Sequence, residues 1–334
     1  MTLYSADSEW VQLAKETTPG SAGSSFLIMP NTTIEIAGAG DDAEEFIGSG
    51  GNYVNDVSNR RERGEGTYTG GPSFDEDVLI FDSVFQKATP TGTTAKVRDY
   101  WPVPRGADTY QSYTAQRGQA GAAEQFLFML FNSFSLAVND GGATKSGDLI
   151  AQLAAPQATM TASPTTLPST PSGSVNWELF WDTSMTALDS ESNKVLTGFD
   201  WASTYGPKFA GYTPINKSQP SWTGVAQRRP MPTLTLITGF DVSGSDYAGP
   251  LTLAKKRAGT LICWRLKGTG AIITGSTPYT YIVDIATKIR NVPGRARIQD
   301  VLMGQSWPLV AATDPAANAG VGAAIHARLI NTTA

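Results

Sequence analysis

The residue types that most often carry chemistry are few in this chain and far apart. Its one histidine, His326, stands beside Ile325, and its one cysteine, Cys263, follows Leu261 and Ile262 and precedes Trp264. A lone imidazole without a cysteine pair cannot build the common tetrahedral zinc sites. Cys263, in an apolar run, is expected to be a small buried hydrophobe, and His326 a structural or surface residue. Asp75, Glu76 and Asp77 lack the Asp-x-Asp-x-Asp-Gly order of a calcium loop. They crowd the first turn of a helical pattern, where the positive end of the helix dipole accounts for them. Gly141, Gly142 and Lys145 suggest a phosphate loop only superficially, because no glycine directly precedes the lysine. No Gly-x-Ser-x-Gly elbow occurs. Paired carboxylates for glycoside hydrolysis need only proximity in space, and 30 acidic residues give no way to choose a pair. No catalytic, cofactor-binding or metal-binding residue is assigned, and the chain is expected to be no enzyme.

The surrounding pattern is that of a mainly β protein. Residues 26–29, 32–36, 126–138, 175–181, 233–238, 261–266 and 279–285 read as short strands between turns rich in Gly, Pro, Ser and Thr. Phe74, Val78, Phe81 and Phe85 recur at helical spacing, which predicts an amphipathic helix over 74–85 with Ser73 as its N-cap. A second short helix is predicted over 250–258, with Pro250 near its start and Gly259 at its stop. Residues 38–66 and 205–227 keep no sustained period and read as long loops. Loops of that length in a compact domain are usually functional or bound to a partner.

Residues 156–173 hold four prolines and no charge, the composition of a linker. The reading is therefore a first domain over 1–156, a linker over 157–173 and a second domain over 174–334. The order strand, long loop, strand, short helix, strands recurs in both halves. In that pattern of internal duplication 74–85 corresponds to 250–258, and 149–155 to 307–312.

Charge divides along the same line. Residues 1–172 carry 20 acidic and 10 basic residues, and residues 173–334 carry 10 acidic and 15 basic. Opposite signs would steer the acidic half of one copy toward the basic half of another. The basic residues form no platform interleaved with aromatics, so tight nucleic-acid binding is disfavoured. No apolar stretch reaches the roughly 20 residues needed to span a bilayer, and the first residues do not read as a signal peptide. A soluble protein made in a cytoplasm, without a membrane anchor, is expected.

Four stretches carry a resemblance: 12–20 followed by the strand at 26–29; 64–70 leading into the helix; 131–136 before a polar turn; and 281–285 through 300–302 to 307–309. In order and texture they resemble the major tail tube proteins of long-tailed bacteriophages. The chain is about twice the length of the short single-domain members.

The resemblance implies two tube-type β-sandwich domains, each with a flanking helix and a long loop reaching a neighbour. It implies that inner sheets of adjacent subunits join edge to edge into a closed barrel. Closing a sheet across subunits removes exposed strand edges, and head-to-tail contacts that close make rings. Three chains would give a pseudo-sixfold ring, or six if only one domain is tube-like. Stacked rings would form the conduit for DNA ejection in the virion, with DNA passing without tight binding and other tail proteins at the tube ends. Asp41, Asp42, Glu44, Glu45, Arg60 and Arg61, in the 38–66 loop, become the candidates for ring-to-ring contact. The alternatives are another virion component, such as a decorating or head–tail joining protein, and a β-sandwich module that binds or hydrolyses carbohydrate.

Overall fold

A computed structural model of the protein describes residues 10–40, 44–47, 54–58, 62–86, 88–102, 110–119, 122–157, 159–170, 176–196, 198–207, 209–212, 224–227, 231–239, 253–291, 294–298 and 302–333. It is mainly β, as the alternating runs require. The first half holds β1 (Trp10–Lys15), β2 (Phe26–Ile28), β3 (Thr32–Gly40), β4 (Glu44–Ile47), β5 (Val54–Ser58), β6 (Glu62–Gly70), α1 (Asp77–Val84), β7 (Lys96–Tyr100), β8 (Tyr113–Gln119), β9 (Ala122–Phe131), β10 (Phe134–Asn139) and β11 (Gly142–Gln157). After β12 (Thr165–Thr166) come β13 (Trp177–Asp182), β14 (Gly198–Tyr205), β15 (Phe209–Tyr212), β16 (Gly224–Gln227), β17 (Thr233–Gly239) and α2 (Leu253–Ala258). The chain closes with β18 (Ile262–Thr274), β19 (Thr277–Ile289), β20 (Gly294–Ile298), β21 (Leu302–Ala311) and β22 (Ile325–Asn331).

Eight of these strands form one antiparallel run in the order β3-β6-β11-β10-β14-β17-β21-β20. The first four come from the first half and the last four from the second. Each set has the same internal order: the first strand, its ribbon partner, then a hairpin entered through its second strand. Each hairpin also sends off a branch, β11 to β9, β8 and β1, and β21 to β19, β18 and β13. The registers agree. Leu149 faces Phe131 as Leu309 faces Ile289, and Trp10 faces Gly118 as Trp177 faces Gly268.

Pairing also crosses between the halves. β10 lies beside β14, and β22 joins β19 to β7 of the first half. One apolar cluster draws Leu13, Phe81 and Leu136 from the first half and Trp264, Tyr281 and Leu329 from the second. The stretch read as a linker is laid onto the first half: Thr165 and Thr166 pair in parallel with β2, and Leu167 is buried.

Two sequence expectations change. The first helix starts at Asp77 and is buried on every side, so it has no polar stripe. Phe81 sits among Phe85, Tyr100, Phe134 and Tyr281, with ring centroids 4.9–5.7 Å apart in edge-on contacts. Glu76, at its N-cap, makes no side-chain cap bond; Ser73 Oγ only accepts the Glu76 amide at 3.4 Å.

The long loops are in large part ribbons. β3 and β6 pair from Thr32↔Gly70 to Gly40↔Glu62, and β4 and β5 keep the same register at Glu44↔Ser58. In the second half β15 pairs with β16 from Phe209↔Gln227 to Tyr212↔Gly224. In the β3–β6 ribbon Ile36 and Tyr68 are buried while Glu35 and Thr67 are exposed, and glycines stand where backbones crowd. A Cβ on Gly66 would lie 1.9 Å from the Glu35 carbonyl oxygen. Among the described residues no helix is long and apolar enough to cross a membrane.

Candidate functional site

The buried charged residues are tied to their own chain. Asp75, Glu76 and Asp77 stand at the start of α1, as the dipole reading places them, and are completely buried, with hydrogen-bond partners that reading did not include. Asp75 accepts hydrogen bonds from Thr170 Oγ1 (2.8 Å) and Thr333 Oγ1 (2.7 Å). Glu76 accepts from the Asn31 amide (2.9 Å) and Thr32 Oγ1 (2.6 Å). Asp77 meets Lys145 Nζ and accepts from Tyr281 OH at 2.9 Å. Glu16, also buried, accepts from Ser112 Oγ, Thr114 Oγ1 and the Phe128 amide.

His326 is buried with both ring nitrogens engaged, Nδ1 with Asp284 and Nε2 with Asp99, each at 2.9 Å. Trp101 stacks on its ring at 4.1 Å. Arg265 forks onto Asp284 through Nε (2.8 Å) and Nη2 (2.9 Å). Burial pulls the imidazole pKa down, but the bonds and charges of Asp284 and Asp99 outweigh it and raise the value. Burial raises the Asp99 carboxyl, and its bonds to His326 and Arg328 more than reverse that, leaving it at about 2. Cys263 is buried as expected, and burial, followed by Asp314, pushes its thiol far up, away from reactivity. Among the described residues no group of three or more His, Cys, Asp or Glu is arranged to hold a metal ion.

Of the six residues singled out in the sequence, Glu44 and Glu45 open β4, opposite Ser58 and Val57. Asp41, Asp42, Arg60 and Arg61 lie outside the described residues.

The feature that sequence reasoning missed is a groove of about 790 Å³ between β1 and β3, lined by Trp10, Val11, Ile34, Glu35, Ile36 and Arg117. It follows the outer edge of β3, which among the described residues pairs only with β6. The Ile36 carbonyl points into the groove, where Arg117 Nη1 donates to it at 2.7 Å. An antiparallel residue directs its N–H and C=O to one side, so Ile34 and Ile36 both present their backbone groups to the groove. At the far end of the run β20 pairs only with β21 among the described residues. β3 carries Glu35, whereas β20 carries Arg295 and Arg297.

A second groove occupies the equivalent place in the second half, between β13 and β14. It is lined by Trp177, Glu178, Leu179 and Trp201, and holds about 330 Å³. Val138, Asn139 and Asp140, at the end of β10, form one of its walls. In the second half, then, the strand edge beside the groove is covered by β10, while among the described residues no strand covers the corresponding edge in the first half. No protein-family model matches this chain, and no curated protein matches it. The site is therefore read from its geometry alone.

Proposed function

We propose that the chain is a structural virion protein whose copies join edge to edge into rings, and that the rings stack into the tail tube of a long-tailed phage. The observation that carries the reading is the pair of equivalent grooves, one flanked by β10 of the same chain and the other flanked by no further strand among the described residues. Within the chain β10 covers the edge of β14. By the correspondence of the halves, β20 of one copy covers the edge of β3 in the next. Strand addition of this kind draws affinity from backbone hydrogen bonds and removes two exposed edges at once. The contact is head to tail, and such contacts make rings when the rotation closes. With two repeats per chain, each a tube-type β-sandwich, three chains make a pseudo-sixfold ring.

The opposite charges of the two halves favour this order over like-to-like contact. The ribbons continuing from β3 and β6, with Glu44 and Glu45, are the proposed ring-to-ring contacts. DNA passes through the lumen without tight binding.

Negative-stain electron microscopy of the purified protein at rising concentration tests this. Hollow tubes are expected. Rings that never stack favour a head–tail joining protein, and a monomer at every concentration contradicts the proposal.

A further inference from the structure

We propose that the folded chain joins Lys145 to Asp77 by an amide bond between Nζ and Cγ, formed by its own residues with loss of one water. Lys145 lies on β11 and Asp77 opens α1. Both side chains are fully buried, and Nζ is in contact with Oδ1. That contact holds an amine against a carboxyl group, the geometry that turns a bimolecular condensation into an intramolecular one.

The surroundings supply the rest of the chemistry. Asp77 Oδ2 accepts from Tyr281 OH at 2.9 Å and from the Ser73 amide at 3.3 Å. Two donors thus converge on the oxygen that carries negative charge when an amine adds to the carboxyl carbon. Glu76 Oε2 stands 3.8 Å from Nζ, an ion-pair distance that must shorten to a hydrogen bond for it to take a proton as the amine adds. Glu76 is held in place by Thr32 Oγ1 and the Asn31 amide. Phe74 and Trp177 pack on the Tyr281 ring at 6.5 and 5.5 Å and exclude solvent. Burial raises the Asp77 pKa in spite of Lys145, which favours the neutral acid. Among the described residues Lys145 is the only cation paired with this acidic trio.

The step balances without an oxidant or cofactor. Lys145 Nζ gives one proton to Asp77 Oδ1, and the amine so formed adds to Cγ of the carboxylic acid. Oδ2 takes the negative charge between Tyr281 and Ser73. Glu76 accepts a proton from Nζ and delivers it to the Oδ1 hydroxyl. The C–O bond breaks, water leaves, and the carbonyl at Oδ2 re-forms. The product ties the start of α1 to β11 inside the core.

Mass spectrometry of the intact, denatured full-length chain tests this, followed by digestion and fragment sequencing. The expected result is a chain lighter than its sequence by one water, with one branched peptide joining Asp77 to Lys145. E76Q is expected to slow the bond by about a hundredfold or more. D77N is expected to form the same bond with loss of ammonia. A wild-type chain that yields both residues only in linear peptides overturns the proposal, as does a water lost elsewhere in the chain. E76Q that forms the bond at the wild-type rate overturns the role given to Glu76.

Discussion

Val138 lies directly opposite Trp201, where β10 of the first half pairs with β14 of the second. Ala137 faces Ala202 and Leu136 faces Ser203 in the same ladder. Because the two halves share strand order and register, this internal junction is the template for the proposed contact between copies. Carried across the correspondence, it sets Arg297 opposite Ile34 of the next copy, Ala296 opposite Glu35 and Arg295 opposite Ile36.

In that register the Arg295 N–H faces the next copy, because Ile36 directs its backbone groups outward. Proline is tolerated at a sheet edge where its missing N–H points away from the sheet. R295P is therefore expected to leave the fold intact and to raise the concentration needed for assembly by about tenfold or more. A lost ladder bond of about 1 kcal/mol acts at every junction of a ring. Sedimentation and circular dichroism check this together; unchanged assembly by R295P places the contact elsewhere.

Gly66 has no room for a side chain, since its Cβ would meet a backbone oxygen of β3. G66A must push the ribbon strands apart and is expected to cost about 1–3 kcal/mol. The midpoint of denaturant unfolding reads this directly, and a change below about 0.5 kcal/mol contradicts the β3–β6 packing.

The His326 cluster gives stability a definite pH dependence. His326 is faced by Asp99 from β7, Asp284 from β19, and Arg328 beyond Asp99, with Arg265 from β18 behind Asp284. A raised imidazole pKa contributes stability that is complete below its ordinary value of 6.5 and lost as pH rises through the folded value. Burial raises the Asp284 carboxyl and the bonds from Arg265 and His326 lower it further than that, so it ends below its ordinary 3.8. Asp99 and Asp284 thus contribute stability present above 3.8 and lost as pH falls through their folded values, about 2 for Asp99. The difference in unfolding free energy between wild type and H326Q is expected to be largest between about pH 4 and 6.5 and to shrink on the alkaline side. A difference that stays flat from pH 6 to 9 contradicts the charged imidazole.

Much of this architecture is legible in the sequence. The repeated order of strands, the stop of α2 at Gly259 and the match of 149–155 with 307–312 follow from local pattern. Leu149 and Leu309 indeed hold equivalent places in the ladders. The partners of Asp75, Glu76 and Asp77 are not legible, because Asn31, Lys145, Thr170, Tyr281 and Thr333 reach them only through the tertiary fold. The ribbon strand β6 is not legible because Gly64, Gly66 and Gly70 stand on the face that Tyr68 buries and carry no apolar signal there. The groove beside β3 is invisible to any local rule, since it lies between β1 and β3, strands brought side by side only by the tertiary fold.

The most direct test of the central claim is a cysteine pair across the proposed junction, E35C with A296C. Ile36 faces the groove, so Glu35 takes the non-hydrogen-bonded place there, where opposed Cα atoms lie about 4.5 Å apart and a disulfide fits. The control is A137C with A202C, whose positions face one another within one chain. Oxidation of E35C/A296C is expected to convert monomer into covalent dimers and closed trimers on a denaturing gel, while the control stays monomeric and internally bridged. E35C/A296C that remains monomeric, under conditions in which the control forms its bridge, contradicts the joining of copies through β3 and β20.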